Sequence, residues 1–254
     1  MDSFILQLAT GTIIGLGAGY LGAFMVLRRM SLVGDALSHV ALPGIAVALL
    51  FGFNPFIGAF AALAIAIVGI WSLERKTAIP SETLVGIFFT VSLALGLLLT
   101  PEPELLEALF GDITKIGIAD TVLAMILVAI VIVIMQKIAK GVTISLISKD
   151  LARSMRIPVD LINLIFLFLV ATVVALGLKV AGTLLMGSLV IIPAAAAKNI
   201  ASNLNGYAMS AGIMGAMCAF IGIIAANRFD LLPGPIVILT SGLVFGMTLL
   251  LKKQ

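Results

Sequence analysis

The chain has 254 residues, of which 62% are hydrophobic and 11% carry a charged side chain. Soluble domains carry roughly 25% charged residues, so this composition excludes that class. The net charge of +3 comes without any basic run that contains interleaved aromatic residues, so the sequence gives no indication of nucleic acid as a partner.

Apolar blocks recur along the chain, and each is long enough to cross a bilayer as a helix. They predict an all-α polytopic membrane protein with one transmembrane domain over residues 1–254. The nine predicted spans are approximately 4–27, 32–52, 56–73, 83–100, 119–136, 159–178, 180–197, 207–226 and 233–251. The segment 101–118 could instead dip partly into the membrane, which would leave eight full spans.

The first apolar block has no basic segment before it, and the pair Arg28–Arg29 follows it. We therefore expect a retained first span and not a cleaved signal peptide. Gly11, Gly15 and Gly19 recur every four residues in this block. Small residues on one helix face allow a second helix to approach closely, so this face predicts tight packing.

Basic residues collect in the loops on one side of the predicted membrane. They are Arg28, Arg29, Arg75, Lys76, Lys137, Lys140, Lys149, Arg153, Arg156, Lys198, Lys252 and Lys253. The other side receives Asp2, Asn54, the acidic loop 101–107, Lys179 and the segment 227–230. The positive-inside rule then predicts an N-terminus outside the cell and a cytoplasmic C-terminus.

Nine spans with this orientation allow an inverted repeat, in which spans 1–4 start outside, spans 6–9 start inside and span 5 links them. The second span of each half contains a proline, Pro43 in the first half and Pro193 in the second. Matched interruptions of this kind are typical of a translocation path in transporters.

Two ionisable residues lie inside the second span. Asp35 and His39 are four residues apart, and His39 is the single histidine of the chain. On a helix they share one face, one turn apart. An intramembrane carboxylate predicts a functional site. The alternative is that Asp35 caps the helix or pairs with Arg28 or Arg29, while His39 bonds a neighbouring helix.

The longest polar stretch lies at about 141–158, between the fifth and sixth spans. Ser148 or Asp150 can cap a short helix there, which Pro158 would end. Leu151 and Met155 share an apolar face with Ala152, beside Arg153 and Arg156. Such a helix could lie on lipid or dock into a partner.

Several motifs together resemble the permease subunits of the ABC-3 family. They are VLRRMSLVGDALSHVALPGIAVA, SETLVGIFFTVSLALGLLL, ALFGDI, SKDLARSMRI and GTLLMGSLVIIPAAAA, and they occur along nearly the whole chain. This family provides the membrane subunits of ABC importers for zinc, manganese or ferrous iron. The resemblance implies a multi-pass protein of the cytoplasmic (inner) membrane of a prokaryote.

The resemblance also implies partners. Two copies of the permease would form the pore in membrane lipid, a pair of cytoplasmic ATP-binding subunits would attach below it, and an extracytoplasmic metal-binding protein would deliver the ion. The chain itself lacks the GxxxxGK(S/T) nucleotide motif, so we expect a transport subunit that is not an enzyme and has no permanently bound cofactor.

Carried onto this sequence, the family motifs assign two roles. Asp35 and His39 become the candidate metal site, because they stand in GDALSH. The segment that couples to the ATPase becomes Asp150, Leu151, Ala152, Arg153, Ser154, Met155, Arg156 and Ile157.

Two other functions fit the residues without the resemblance. One is an ATP-independent secondary transporter or channel in which Asp35 and His39 relay protons or metal. The other is a membrane scaffold without transport activity. The sequence does not identify the ion, since imidazole suits zinc and carboxylate suits manganese or iron.

Overall fold

The computed structural model describes residues 3–77, 79–100 and 108–251, and these are almost entirely helical. The helices are α1 (Ser3–Leu27), α2 (Ser31–Val40), α3 (Leu42–Phe51), α4 (Pro55–Lys76), α5 (Ser81–Leu99), α6 (Ile118–Ile147), α7 (Lys149–Ser154), α8 (Val159–Lys198), α9 (Leu204–Phe229) and α10 (Pro233–Leu251). A short 3₁₀ helix, Ile113–Lys115, precedes α6. Asp2, the acidic loop 101–107 and the two C-terminal lysines of the predicted loops lie outside the described residues.

The all-α membrane architecture predicted from composition is confirmed. Eight segments of the described chain are long and apolar enough to cross a bilayer, and α2 and α3 together form one of them. The shorter apolar helix Met186–Lys198 corresponds to the predicted span 180–197. The count among the described residues is therefore eight and not nine because the predicted span 180–197 is too short to cross the membrane by itself. The segment 101–118 is not the reason.

The two predicted spans 159–178 and 180–197 form the single long helix α8, which is broken at Gly182. We call residues 159–181 its first arm and residues 183–198 its second arm. The first arm begins beside the end of α4, where the Trp71 ring nitrogen donates to the Asp160 carbonyl over 3.3 Å. It ends where Lys179 bonds Asp120 at the start of α6, over 2.6 Å.

The second arm runs in the opposite direction to the first. The Thr183 carbonyl accepts a hydrogen bond from Ser38, whereas Gly187 abuts Asp35. The second arm therefore runs antiparallel to α2. Consequently no loop surrounds Lys179, which was predicted to lie between two spans, and the chain reverses within a single residue.

Gly182 makes this reversal because its φ of 67° lies in the left-handed region, which side chains with a Cβ rarely adopt. A Cβ at this position would also meet the backbone of Leu109 and Gly111. The described end of the segment predicted to dip into the membrane is thus packed directly against the turn.

The glycine face of α1 packs as the sequence predicts. A Cβ at Gly19 would collide with the Ala211 carbonyl of α9, and a Cβ at Gly15 would lie 2.5 Å from the Gly215 carbonyl. Gly11 meets Ile223 of the same helix. Small residues therefore bring the backbones of α1 and α9 into contact.

Three of the basic residues that were predicted to share one side of the membrane lie together at one end of the bundle. Arg28, Arg75 and Arg153 line one polar cavity of about 590 Å³, together with Asp160 at the start of α8. We call this end of the bundle the basic end. The side of the membrane to which it belongs, and the inverted repeat, stay predictions.

We predict that Gly182→Ala lowers thermal stability more than Gly52→Ala. Gly52 has a similar φ of 69°, but nothing lies within 4 Å of a Cβ there. The Gly52 variant should lose about 1 kcal/mol for the left-handed backbone alone, whereas the Gly182 variant adds a collision. Thermal unfolding of the purified protein in detergent measures the difference, and equal shifts would contradict the account of the turn.

Candidate functional site

Asp35 and His39 lie in α2, the ten-residue helix that follows the turn after α1. The helical spacing holds, so both side chains are on one face, one turn apart. Asp35 is partly buried, and His39 is 8% exposed. Pro43 lies in the first turn of α3, and the helix is interrupted at Ala41, just beyond His39.

The second arm of α8 closes one side of this face. A Cβ at Gly187 would lie 2.7 Å from Oδ1 of Asp35 and 2.6 Å from its Cβ. Because Gly187 has no side chain, the arm can pack directly against the Asp35 carboxylate, and any larger residue at this position would collide with it.

Ser38 fastens α2 to the same arm. Its hydroxyl lies 2.7 Å from the Asp35 carbonyl and 2.6 Å from the Thr183 carbonyl, and it can donate to either. Ser38 is fully buried. Ser38, which stands between Asp35 and His39 in the sequence, thus joins α2 to the second arm.

His39 faces α5 and is incompletely bonded. Its ring lies 5.3 Å from the Phe89 ring, tilted by 59°. Its Nδ1 atom is buried and has no hydrogen-bond partner among the described residues. A buried polar atom left in this state costs about 1–3 kcal/mol, so its presence needs an explanation other than stability.

The structure argues against a capping or ion-pairing role for Asp35. The residue lies in the second turn of α2, whose N-cap is Met30. Among the described residues, no ion pair joins its carboxylate to Arg28 or Arg29. The Arg28 guanidinium stacks on the Phe166 ring instead, 4.6 Å from its centroid.

Arg28 was predicted to lie in a loop, but its side chain is largely buried. Its Nη1 atom is buried without a partner in the described chain. Burial lowers the pKa of the guanidinium from its ordinary value, and the Glu74 carboxylate partly opposes this shift. Glu74 accepts a long hydrogen bond of 3.5 Å from Asn163. Sequence reasoning did not single out Glu74.

As a ligand set, the site is incomplete within one chain. The described residues contain no group of three or more histidine, cysteine, aspartate or glutamate side chains that could hold a metal ion. One carboxylate and one imidazole can bind a divalent cation weakly, and tight binding would need further donors.

The predicted coupling segment forms a short capped helix. The Ser148 hydroxyl accepts the Leu151 N–H over 3.2 Å at the start of α7. The helix ends at Ser154, and Arg156 has a left-handed φ of 57°. Asp150 and Arg153 are 3.9 Å apart and well exposed, so their attraction adds little stability.

The apolar residues of this segment point in two directions. Ala152 is fully buried against the bundle, whereas Leu151 is 47% exposed and Met155 is 52% exposed. The two larger side chains thus form an exposed apolar patch at the basic end. The first part of the predicted segment, residues 141–147, continues α6 as a helix.

Comparisons with known proteins cover nearly the whole chain. The model of the ABC 3 transport family matches residues 1–252. The manganese transport system membrane protein MntC of Listeria monocytogenes is 30% identical over 251 residues, which are 97% of this chain and 90% of that protein.

Two further comparisons point the same way. The high-affinity zinc uptake system membrane protein ZnuB of Haemophilus influenzae is 32% identical, over 97% of both proteins. Among solved structures, PsaBC from Streptococcus pneumoniae in complex with Fab superimposes with a TM-score of 0.87 at 29% identity. That match covers 98% of this chain and 91% of the other.

We predict that His39→Leu does not lower the thermal stability of the protein. The substitution keeps an apolar contact with Phe89 and removes a buried nitrogen that lacks a partner, so the melting temperature in detergent should stay equal or rise. Ser38→Ala is the contrasting variant, because it removes a fully buried hydroxyl that is hydrogen-bonded, and it should lower the melting temperature. A clear fall for His39→Leu would mean that the imidazole is bonded and structural.

Proposed function

We propose that this chain, a membrane permease subunit of a metal ABC importer, passes a divalent transition-metal ion through the membrane at Asp35 and His39. The chain belongs to the ABC 3 transport family, since the family model matches residues 1–252. It is a multi-pass protein of the inner membrane of a prokaryote. Membership of this family favours an ATP-driven importer over an ATP-independent transporter or channel.

The single observation that carries the site is that the two ionisable side chains of α2 are left without partners in the part of the chain that the structure describes. His39 Nδ1 is buried without a partner, and Asp35, one turn away, forms no ion pair within the described chain. Groups left unsatisfied in a low-dielectric interior are available to a ligand. An imidazole nitrogen and a carboxylate oxygen are donors that suit zinc, manganese and ferrous iron.

The small number of donors suits transport. A translocated ion must bind well enough to enter and weakly enough to leave, so a complete set of tight ligands would trap it. The negative charge of Asp35 offsets part of the cost of bringing a cation into the membrane. A second copy of the permease would add an equivalent pair of side chains, and we propose that the functional unit is a homodimer.

Membership of the family supports two further partners, one at each end of the bundle. We assign the exposed patch of Leu151 and Met155 to contact with a cytoplasmic ATP-binding subunit, which would be present as a dimer and hydrolyse ATP. An extracytoplasmic metal-binding protein would deliver the ion at the opposite end. The exposed apolar side chains of α5, α6 and α10 would contact membrane lipid.

Removal of either donor should abolish most transport. We predict that Asp35→Asn and His39→Ala each reduce manganese or zinc uptake by about tenfold or more, in keeping with the loss of a metal ligand. Uptake of the radiolabelled ions by cells that express the complete importer measures this, with variant abundance in the membrane as a reference.

Thr240→Val is a matched control for these variants. The Thr240 hydroxyl is partly buried in α10 and bonds its own helix at the Ile236 carbonyl over 2.8 Å, so its loss should leave uptake near the wild-type level. Normal uptake of every divalent ion by both Asp35→Asn and His39→Ala would exclude the site.

Charge on the exposed patch should separate the permease from its ATPase. We predict that Leu151→Asp and Met155→Asp reduce co-purification of the ATP-binding subunit and lower uptake, because a carboxylate cannot be desolvated in an apolar contact without cost. Ile200→Asp is the control, since Ile200 is 50% exposed just after α8 but lies outside the coupling segment. Unchanged co-purification in both α7 variants would contradict the assignment.

A further inference from the structure

We propose that the hydroxyl of Thr183 is a third donor to the translocated cation, contributed by the second arm of α8, and that it favours manganese over zinc. The proposal rests on the function assigned to Asp35 and His39. Thr183 stands in the motif GTLLMGSLVIIPAAAA, but the sequence alone assigns it no role.

Several threonine hydroxyls within the helices bond the preceding turn of their own helix. This habit removes the cost of placing a hydroxyl in an apolar surrounding. Four such bonds, all from 2.6 to 2.8 Å, are Thr12 to Leu8, Thr143 to Ala139, Thr172 to Phe168 and Thr240 to Ile236. Thr100, by contrast, follows the last residue of α5 and has a buried hydroxyl without a partner among the described residues.

Thr183 departs from this habit. The residue is fully buried, and its Oγ1 atom has no hydrogen-bond partner within the described part of the chain. The hydroxyl is therefore neither exposed to solvent nor bonded to protein, which is an expensive state for a polar group in a membrane interior.

The broken helix explains why the usual bond is missing. A bond to the preceding turn would use the carbonyl of Lys179, but the left-handed Gly182 stands between the two residues. The Lys179 carbonyl is directed at the neighbouring segment, where it would lie 3.1 Å from a Cβ on Gly111. The reversal thus leaves the first hydroxyl of the second arm without its intrahelical acceptor.

The same reversal places Thr183 at the candidate site. Its own carbonyl accepts the Ser38 hydroxyl over 2.6 Å, and Ser38 directly precedes His39. One turn further along the arm, Gly187 lies against Asp35. The Thr183 hydroxyl and the His39 nitrogen are therefore two unsatisfied buried groups on neighbouring helices, with Asp35 beside the same contact.

The chemistry of a hydroxyl predicts a preference between metals. Neutral oxygen donors suit manganese, which takes many oxygen ligands, whereas zinc relies more on imidazole nitrogen and needs fewer ligands. An added hydroxyl raises the number of oxygen donors without adding charge. Removing it should therefore weaken the passage of manganese more than that of zinc.

The test compares Thr183→Val with Thr183→Ser in the complete importer. Valine keeps the shape of threonine without its hydroxyl, and serine keeps the hydroxyl. Radiolabelled manganese and zinc are the probes, at concentrations well below saturation. We expect Thr183→Val to lower manganese uptake by about tenfold, roughly the loss of one ligand bond, and zinc uptake by much less. Thr183→Ser should retain most uptake of both metals.

Thermal stability provides the readout that separates a ligand from a structural group. Since the hydroxyl has no protein partner, Thr183→Val should leave the melting temperature of the purified protein unchanged or raise it. A lower melting temperature with an equal loss of manganese and zinc uptake would show a structural role and overturn the proposal.

His39→Ala distinguishes failure of this proposal from failure of the site itself. If His39→Ala abolishes uptake while Thr183→Val transports both metals normally, the third donor is wrong and the site stands. If His39→Ala also transports both metals normally, the site assigned to α2 is wrong and the role of Thr183 is lost with it.

Discussion

The arrangement of the bundle depends on one backbone reversal, at Gly182. A helix that continued straight would carry residues 183–198 away from α2, and no side chain of the second arm would reach Asp35. The left-handed φ of 67° turns the arm back, and the turn is supported by the close backbone of Leu109 and Gly111. The proposed metal site therefore depends on a residue that contributes no ligand to it.

At the unsatisfied groups around α2, the proposed function and stability would oppose each other. His39 Nδ1 and the Thr183 hydroxyl are buried without partners among the described residues, whereas the Ser38 hydroxyl is hydrogen-bonded. The helix contact is thus secured by one polar side chain, while its neighbours stay available. Sites that bind a passing ligand commonly keep such a cost, since a partner within the protein would compete with the ligand.

The sequence was sufficient for features that rest on helical periodicity. The spacing of Asp35 and His39, the Ser148 cap of α7 and the glycine face of α1 each follow from residue types at fixed intervals. The turn at Gly182 could not be predicted, because one glycine in an apolar run does not reveal its φ. Lys179 suggested a loop, but it is an ion-paired helical residue. Without the turn, Thr183 resembled any other intrahelical hydroxyl.

The position of Asp35 divides the path of the ion unequally. Asp35 lies about 6 Å along α2 from the first residue of that helix, and Met30, just before it, lines the cavity at the basic end. In the other direction, α3 continues the span by ten residues, or about 15 Å. A cation at the proposed site would therefore have the longer part of the span behind it. The exposed Leu151 and Met155 belong to the near end, so a subunit bound there would stand beside the last and shortest part of the path.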